Sequence, residues 1–146
     1  MTKNVLVSIV GMHYGVDDES GDSEPLEVIT PATYYFKNNK HYILYDEVVE
    51  GMMGTTKNTI KIAGDNFFEM SKSGLTNSKM TFEKDRIYMT NYQTPFGEMI
   101  VGVHTKAMSV DVQEEKINVS IVYSLDVDNE PLSDCEIKVN ISSLKS

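Results

Sequence analysis

Three histidines and one cysteine are the residues of this chain best suited to chemistry, and their spacing keeps them apart. His13, His41 and His104 stand singly on separate segments, with no His-x-His and no His-Glu-x-x-His interval. Zinc sites present their ligands at such intervals, so no metal is expected unless the three imidazoles converge inside a barrel. Cys135 has no histidine beside it in sequence and shares its parity with Ile137, Val139 and Ile141. A reactive thiolate needs a base or a positive neighbourhood, so Cys135 reads as an inert core thiol. As the single cysteine it leaves no intramolecular disulfide to form. Gly51-Met52-Met53-Gly54-Thr55-Thr56-Lys57 lacks the glycine spacing, the Lys-Ser/Thr pair and the following helix of a phosphate loop. It lacks the helices and basic neighbours of an RNA-binding KH loop too. Asp126-x-Asp128-x-Glu130 has Pro131 where a calcium loop of the EF-hand type requires glycine, which leaves at most a weak, non-specific calcium contact. Asp46 and Glu47 are adjacent and so point to opposite sides of a strand; alone they cannot make the paired carboxylates of a glycosidase. No catalytic residue, metal ligand or cofactor site is expected.

The elements that would have to position these groups are strands. Apolar residues recur at every second position from Asn4 almost to the C-terminus, cut by turn residues about every 8–12 positions, the spacing of an all-β barrel or sandwich. Ile117, Val119, Ile121, Tyr123 and Leu125 share one parity, while Asn118, Ser120, Val122, Ser124 and Asp126 hold the other. That is a strand with one dry and one mostly wet face. Strands are expected at Asn4–Tyr14, Leu26–Phe36, His41–Val49, Thr56–Ala63, Phe67–Lys72, Lys79–Phe82, Arg86–Tyr92, Glu98–Thr105, Met108–Gln113, Ile117–Asp126 and roughly Cys135–Ile141. Lys37-Asn38-Asn39-Lys40 and Gly64-Asp65-Asn66 are hairpin turns, with Asn tolerating positive φ in the first. Glu83-Lys84-Asp85 would pair the strands on either side of it. Pro31 cannot donate to a ladder and marks a bulge or a kinked edge. Short connections favour an antiparallel meander closed into a barrel of about 8–10 strands, because closure removes exposed edges. A sandwich with Greek-key crossovers needs a long connection, and only Gly15–Pro25 has the length.

Composition narrows the function classes. One domain spanning 1–146 is expected on length, large enough to bury its own core. The net charge is −9, with Arg86 the single arginine, so the chain lacks the positive field that nucleic-acid binding requires. The acids gather in two loops, around Asp17–Glu24 and Asp126–Asp134, where solvated turn chemistry accounts for them. No apolar run approaches the roughly 18 residues of a membrane-spanning helix, and no secretory leader precedes the first strand. A cytoplasmic chain without membrane contact is expected, in which the Asn118 and Asn140 sequons are coincidental.

A resemblance covers most of the chain. Tyr34-Tyr35-Phe36-Lys37, Tyr42-Ile43-Leu44-Tyr45-Asp46-Glu47, Lys57-Asn58-Thr59-Ile60-Lys61-Ile62 and Lys72-Ser73-Gly74 follow one another in order. Tyr92-Gln93-Thr94-Pro95-Phe96-Gly97, with Thr105-Lys106 after it, is the most specific segment. Together these resemble the bacterial YwiB-like proteins, a domain of unknown function. The resemblance implies a calycin-like (lipocalin-like) β-barrel and supplies no activity, cofactor or catalytic residue. Lys72 stands where the family tends to have Arg, and Pro31-Ala32 where it often has Gly.

What remains is a set of polar and aromatic residues on parities that should be dry. In His41–Val49 neither parity is cleanly apolar: Tyr45 and Glu47 share one with Ile43, and Asp46 shares the other with Leu44. Tyr45, Glu47, Thr59, Tyr92 and Thr94 are therefore the candidate residues for a small-molecule site in the interior or at its mouth. An inward Glu47 needs a partner, and Lys57, Lys72 and Arg86 are the basic candidates. The reading this favours is a non-catalytic barrel binding a small, partly apolar ligand. Its rival is a protein-interaction module with a filled core and an exposed apolar patch at Met52-Met53 or Phe96. An enzyme has the least support.

Overall fold

The computed structural model describes residues 2–15, 26–48, 54–74, 78–94, 97–128 and 130–144, without the side chains of 2, 12–15, 26, 78, 90–94, 132 and 133. The acidic segment after Gly15, Met52-Met53 and Phe96 lie outside the described residues. Every regular element is a strand: β1 (Thr2–Gly15), β2 (Leu26–Lys37), β3 (Lys40–Glu47), β4 (Thr56–Ala63), β5 (Phe67–Ser73), β6 (Ser78–Glu83), β7 (Ile87–Thr94), β8 (Gly97–Val112), β9 (Lys116–Val127) and β10 (Glu130–Ser143). They form one antiparallel sheet in the order β6-β5-β4-β3-β2-β1-β10-β9-β8-β7. Pairing of the first strand with the last turns the meander into a nearly closed barrel.

Period two decides which side chains enter. Cross-strand partners share a face, and the buried apolar side chains keep one parity on each strand: Val5 and Val7, Ile43, Ile60 and Ile62, Phe68, Phe82, Val101 and Val103, then Val119, Ile121 and Val139. Phe82 sets its ring edge-on to Tyr123 at 4.8 Å and tilted against Phe68 at 6.0 Å. These three rings fill the interior between β5–β6 and β9. Cys135 is 1% exposed within the same core.

Two sequence expectations are corrected. Glu98–Thr105 and Met108–Gln113 are one strand, β8, whose ladder to β9 slips by a residue between Thr105 and Ala107. The bulge at Lys106 moves the inward parity from odd to even residues, which in the sequence looks like a break. Second, β6 and β7 do not pair across the 84–86 connection. Asp85 N–H donates to the Thr105 carbonyl (3.0 Å) and Thr105 N–H donates to that of Arg86 (3.3 Å), so the connection bonds to β8 instead. Here the meander leaves a seam.

The turns behave as their residues dictate. Asn38 (φ 54°) and Asn39 (φ 63°) give the left-handed pair of a tight hairpin joining Lys37 to Lys40. Pro31 interrupts nothing, since the β1–β2 ladder runs straight through Leu6 and Pro31. The β2–β3 ladder ends at Thr33 and Leu44, so Pro31 stands where β2 has lost its neighbour on that side.

Alternation of strand direction sorts the connections. The 38–39, 64–66, 84–86 and 113–115 turns lie at one end of the barrel. The C-terminal ends of β1, β3, β5, β7 and β9 lie at the other, which is called the loop end below.

Candidate functional site

At the loop end the inner face changes character. Tyr45 lies directly across from Asn58, and Asn58 across from Lys72. Glu47 lies across from Thr56. All five occupy the parity of Ile43, Ile60 and Met70, so adjacent strands β3, β4 and β5 present one polar wall. Thr56 is 1% exposed and Asn58 3%, an unusual burial for polar side chains. The Asn58 amide donates to the Thr56 carbonyl at 3.5 Å. Lys72 Nζ donates to Glu47 Oε1 at 3.4 Å, with both side chains about 40% exposed (38% and 40%). An ion pair so open to water contributes roughly 0–1 kcal/mol. Burial of Tyr45, together with the neighbouring Glu47 charge, raises its phenol above the usual tyrosine value. Ile9, Met70, Met80, Leu125 and Val127 are partly buried against the core toward this end and supply apolar surface beside the polar wall.

The structure thus brings Tyr45 and Glu47 together and selects Lys72 from the three basic candidates. Lys57 lies on the outward parity opposite Asp46, and Arg86 pairs with Glu83 at 2.8 Å. Thr59 is displaced from the interior. It has the parity of Lys57 and Lys61, opposite to buried Asn58 and Ile60, and faces outward. There it lines an open groove of about 520 Å³ where β2 and β3 part, together with Pro31, Leu44 and Tyr45. The β7 backbone places Tyr92 across from Met99 and Thr94 across from Gly97 at the loop end; their side chains lie outside the described residues. Thr56 and Asn58 are the residues sequence reasoning missed, although the parity of Ile60 and Ile62 marks both as inward.

The other chemical candidates are placed by the same geometry. At the turn end the Tyr34 hydroxyl and His41 Nδ1 are hydrogen-bonded at 2.7 Å, the hydroxyl donating when Nδ1 is unprotonated and accepting when it carries the proton. Burial acts the same way on both partners, lowering the His41 pKa and raising that of Tyr34. Lys3 Nζ lies 5.6 Å from the Tyr34 ring centre. His104 is on the outward parity of β8, across from Ser124. The His13 side chain lies outside the described residues. Among the described residues no three His, Cys, Asp or Glu side chains are grouped as a metal site would need. Among the described residues no helix is long and apolar enough to cross a membrane.

Comparison with known proteins agrees with this architecture. The chain is 31% identical over 115 residues to the uncharacterized β-barrel protein YwiB of Bacillus subtilis (strain 168), a match covering 79% of each chain. The crystal structure of the Bacillus subtilis ywiB protein superposes with a TM-score of 0.78 at 22% identity, over 99% of this chain and 94% of that one. It shares the fold. The model of the family described as a domain of unknown function, DUF1934, matches residues 10–139, and the chain belongs to that family.

Proposed function

We propose that the protein is a non-catalytic binding barrel that holds a small, partly apolar molecule at the loop end. One observation carries the reading. Five polar side chains occupy a single patch of the inner face, and two of them, Thr56 and Asn58, are buried at 1% and 3% exposure. A buried polar side chain costs free energy unless it is hydrogen-bonded, and a core strand could carry valine or isoleucine at either position more cheaply. Donors and acceptors confined to one wall beside Met70, Met80 and Leu125 suit a ligand with a polar head and an apolar body. The Phe68, Phe82 and Tyr123 rings occupy the space beneath, so the site is a mouth rather than a deep cavity.

The test is titration with 1-anilinonaphthalene-8-sulfonate, an apolar anion that enters such a mouth head-first toward Lys72. Saturable one-to-one binding is expected. Lys72→Met should weaken it about tenfold, the equivalent of roughly 1.4 kcal/mol, while Lys138→Met on the outer face should not. Equal binding by both variants, or no saturable binding, would reject the site.

A further inference from the structure

The sheet has two free edges, and they face each other. Among the described residues β6 makes a ladder with β5 and β7 with β8, and no ladder joins β6 to β7. At the turn end the seam is pinned by the backbone bonds of Asp85 and Arg86 to Thr105. Just above, the ties pass to side chains: the Tyr88 hydroxyl donates to Glu83 Oε1 at 2.8 Å, and Arg86 Nε pairs with Glu83 Oε2 at 2.8 Å. Beyond these ties the edges part around a cleft of about 290 Å³, lined by Met80, Thr81, Tyr88, Met89 and Val103 among others.

Every second residue on such an edge turns its N–H and C=O away from the existing ladder. Only water or another strand can satisfy them. Edge strands normally discourage pairing with a charge, a proline or a bulge. β7 carries none of these. Its sequence, Ile87-Tyr88-Met89-Thr90-Asn91-Tyr92-Gln93-Thr94, has no charged residue and no proline, and its ladder to β8 runs without a register shift. Beside the edge lies an apolar outer strip: Ile87 is 59% exposed, Met89 55% and Ile100 46%. On the inner side the cleft ends on Met80 and Val103, both apolar.

Charge decides what fits. The chain carries −9. Around the seam, Glu69, Glu83, Asp85, Glu98, Asp126 and Asp128 outnumber Lys79, Lys84 and Arg86, and Lys79 and Arg86 are already paired with Glu69 and Glu83. A second copy of the chain would bring a like field to the seam, whereas a basic segment meets an opposite one. We propose that the seam is a docking site for an extended basic segment of a partner protein, which adds to β7 as a further strand. Period two then fixes its pattern: apolar side chains turn inward to Met80 and Val103, and lysine or arginine side chains turn outward.

The probe is a fluorescently labelled, end-blocked peptide alternating lysine and valine over seven residues, titrated against the full chain. Its controls are the glutamate–valine counterpart, a scrambled peptide of the same composition, and a peptide N-methylated at alternate residues. The alternating peptide should bind one-to-one, at least about tenfold more tightly than each control, a difference of roughly 1.4 kcal/mol. Amide exchange should slow selectively in residues 87–94. Added salt should weaken binding as the acidic field is screened. Met89→Lys, at an exposed position, should weaken binding without lowering the melting temperature, and Glu98→Lys should do the same. Binding of the scrambled or N-methylated peptide as tight as that of the alternating one would overturn the proposal. So would protection elsewhere in the barrel, no saturable binding, or a chain that sediments as a dimer through β7.

Discussion

Gly74 sits where β5 ends against the start of β4, and replacing it by alanine should damage both stability and the polar wall. Its φ is +136°, a conformation that L side chains rarely adopt. A Cβ there would run into the Thr55 carbonyl oxygen, well inside van der Waals contact, and would come within 3.1 Å of Thr56 Cα. Two costs add. Backbone strain at such a φ is about 1–3 kcal/mol. Overpacking against backbone that cannot swing aside costs about 1–3 kcal/mol more. At roughly 2–4 °C per kcal/mol for a chain of this size, the combined cost of about 2–6 kcal/mol means that Gly74→Ala should lower the melting temperature by about 4–24 °C. Gly97 separates the two costs: its φ is +125°, but a Cβ there meets nothing within 4 Å. Gly97→Ala should therefore show the strain alone, about half the loss. The assay is thermal and urea unfolding of both variants by circular dichroism. Equal losses would refute the reasoning, because the contact with Thr55 would then contribute nothing. A real clash must also push Thr55-Thr56 aside, so Gly74→Ala should weaken dye binding at the mouth while Gly97→Ala leaves it intact.

Four further outcomes follow from the same geometry. Phe82→Ala removes a fully buried ring from between Phe68 and Tyr123; urea unfolding should show a loss of about 3–5 kcal/mol, and a loss below about 1 kcal/mol would mean the rings do not hold the core. Thr105 Oγ1 is buried with no partner among the described residues. Thr105→Val should raise stability, because an unsatisfied hydroxyl costs about 1–3 kcal/mol, and a destabilised variant would show that the hydroxyl is bonded. Glu47→Gln should change stability by less than about 1 kcal/mol, the worth of an exposed pair; a larger drop in the urea midpoint would make the pair structural. The pH dependence has two limbs. Burial lowers the His41 pKa, so the unfolded chain binds the proton more readily, and stability should fall as pH drops below the ordinary histidine value of about 6.5. Burial raises Tyr34 and Tyr45, so the unfolded chain ionises first, and stability should fall again as pH climbs past about 10. His41→Phe should flatten the acid limb of a melting-temperature profile; an unchanged limb would remove His41 as its cause.

Much of the barrel is legible in the sequence because a strand with one dry face must alternate. The runs at Val5–Val7, Ile60–Ile62 and Ile117–Leu125 state their inward parity outright, and Asn38-Asn39 states its turn. What escapes is anything that breaks the count. The bulge at Lys106 splits a sixteen-residue strand into two apparent strands, since one extra residue reverses the parity of everything after it. The 84–86 connection closes a local turn through the Arg86 N–H to Glu83 carbonyl bond, yet the Asp85 N–H and the Arg86 carbonyl go to Thr105 on β8. That competition between a local turn and a distant strand leaves no mark in the local sequence.

The candidate site was legible to the same extent and for the same reason. Tyr45 and Glu47 stand out because they share a parity with Ile43, and the structure puts Lys72 against Glu47. Thr59 fails the parity rule it was named under: on β4 the parity of Ile60 and Ile62 selects Asn58 and Thr56, while Thr59 shares its parity with Lys57 and Lys61. A polar residue on the dry parity is the informative event, because it is the one whose burial needs a reason. By that rule the inner face has its polar wall on β3, β4 and β5 at the loop end, and Thr105 as a separate polar residue beside the seam. The wall and the open edge of β7 are distinct surfaces. Lys72→Met acts on the first and Met89→Lys on the second; the two surfaces share only Met80 among the residues named for them, and since neither substitution alters it, each should leave binding at the other site unchanged.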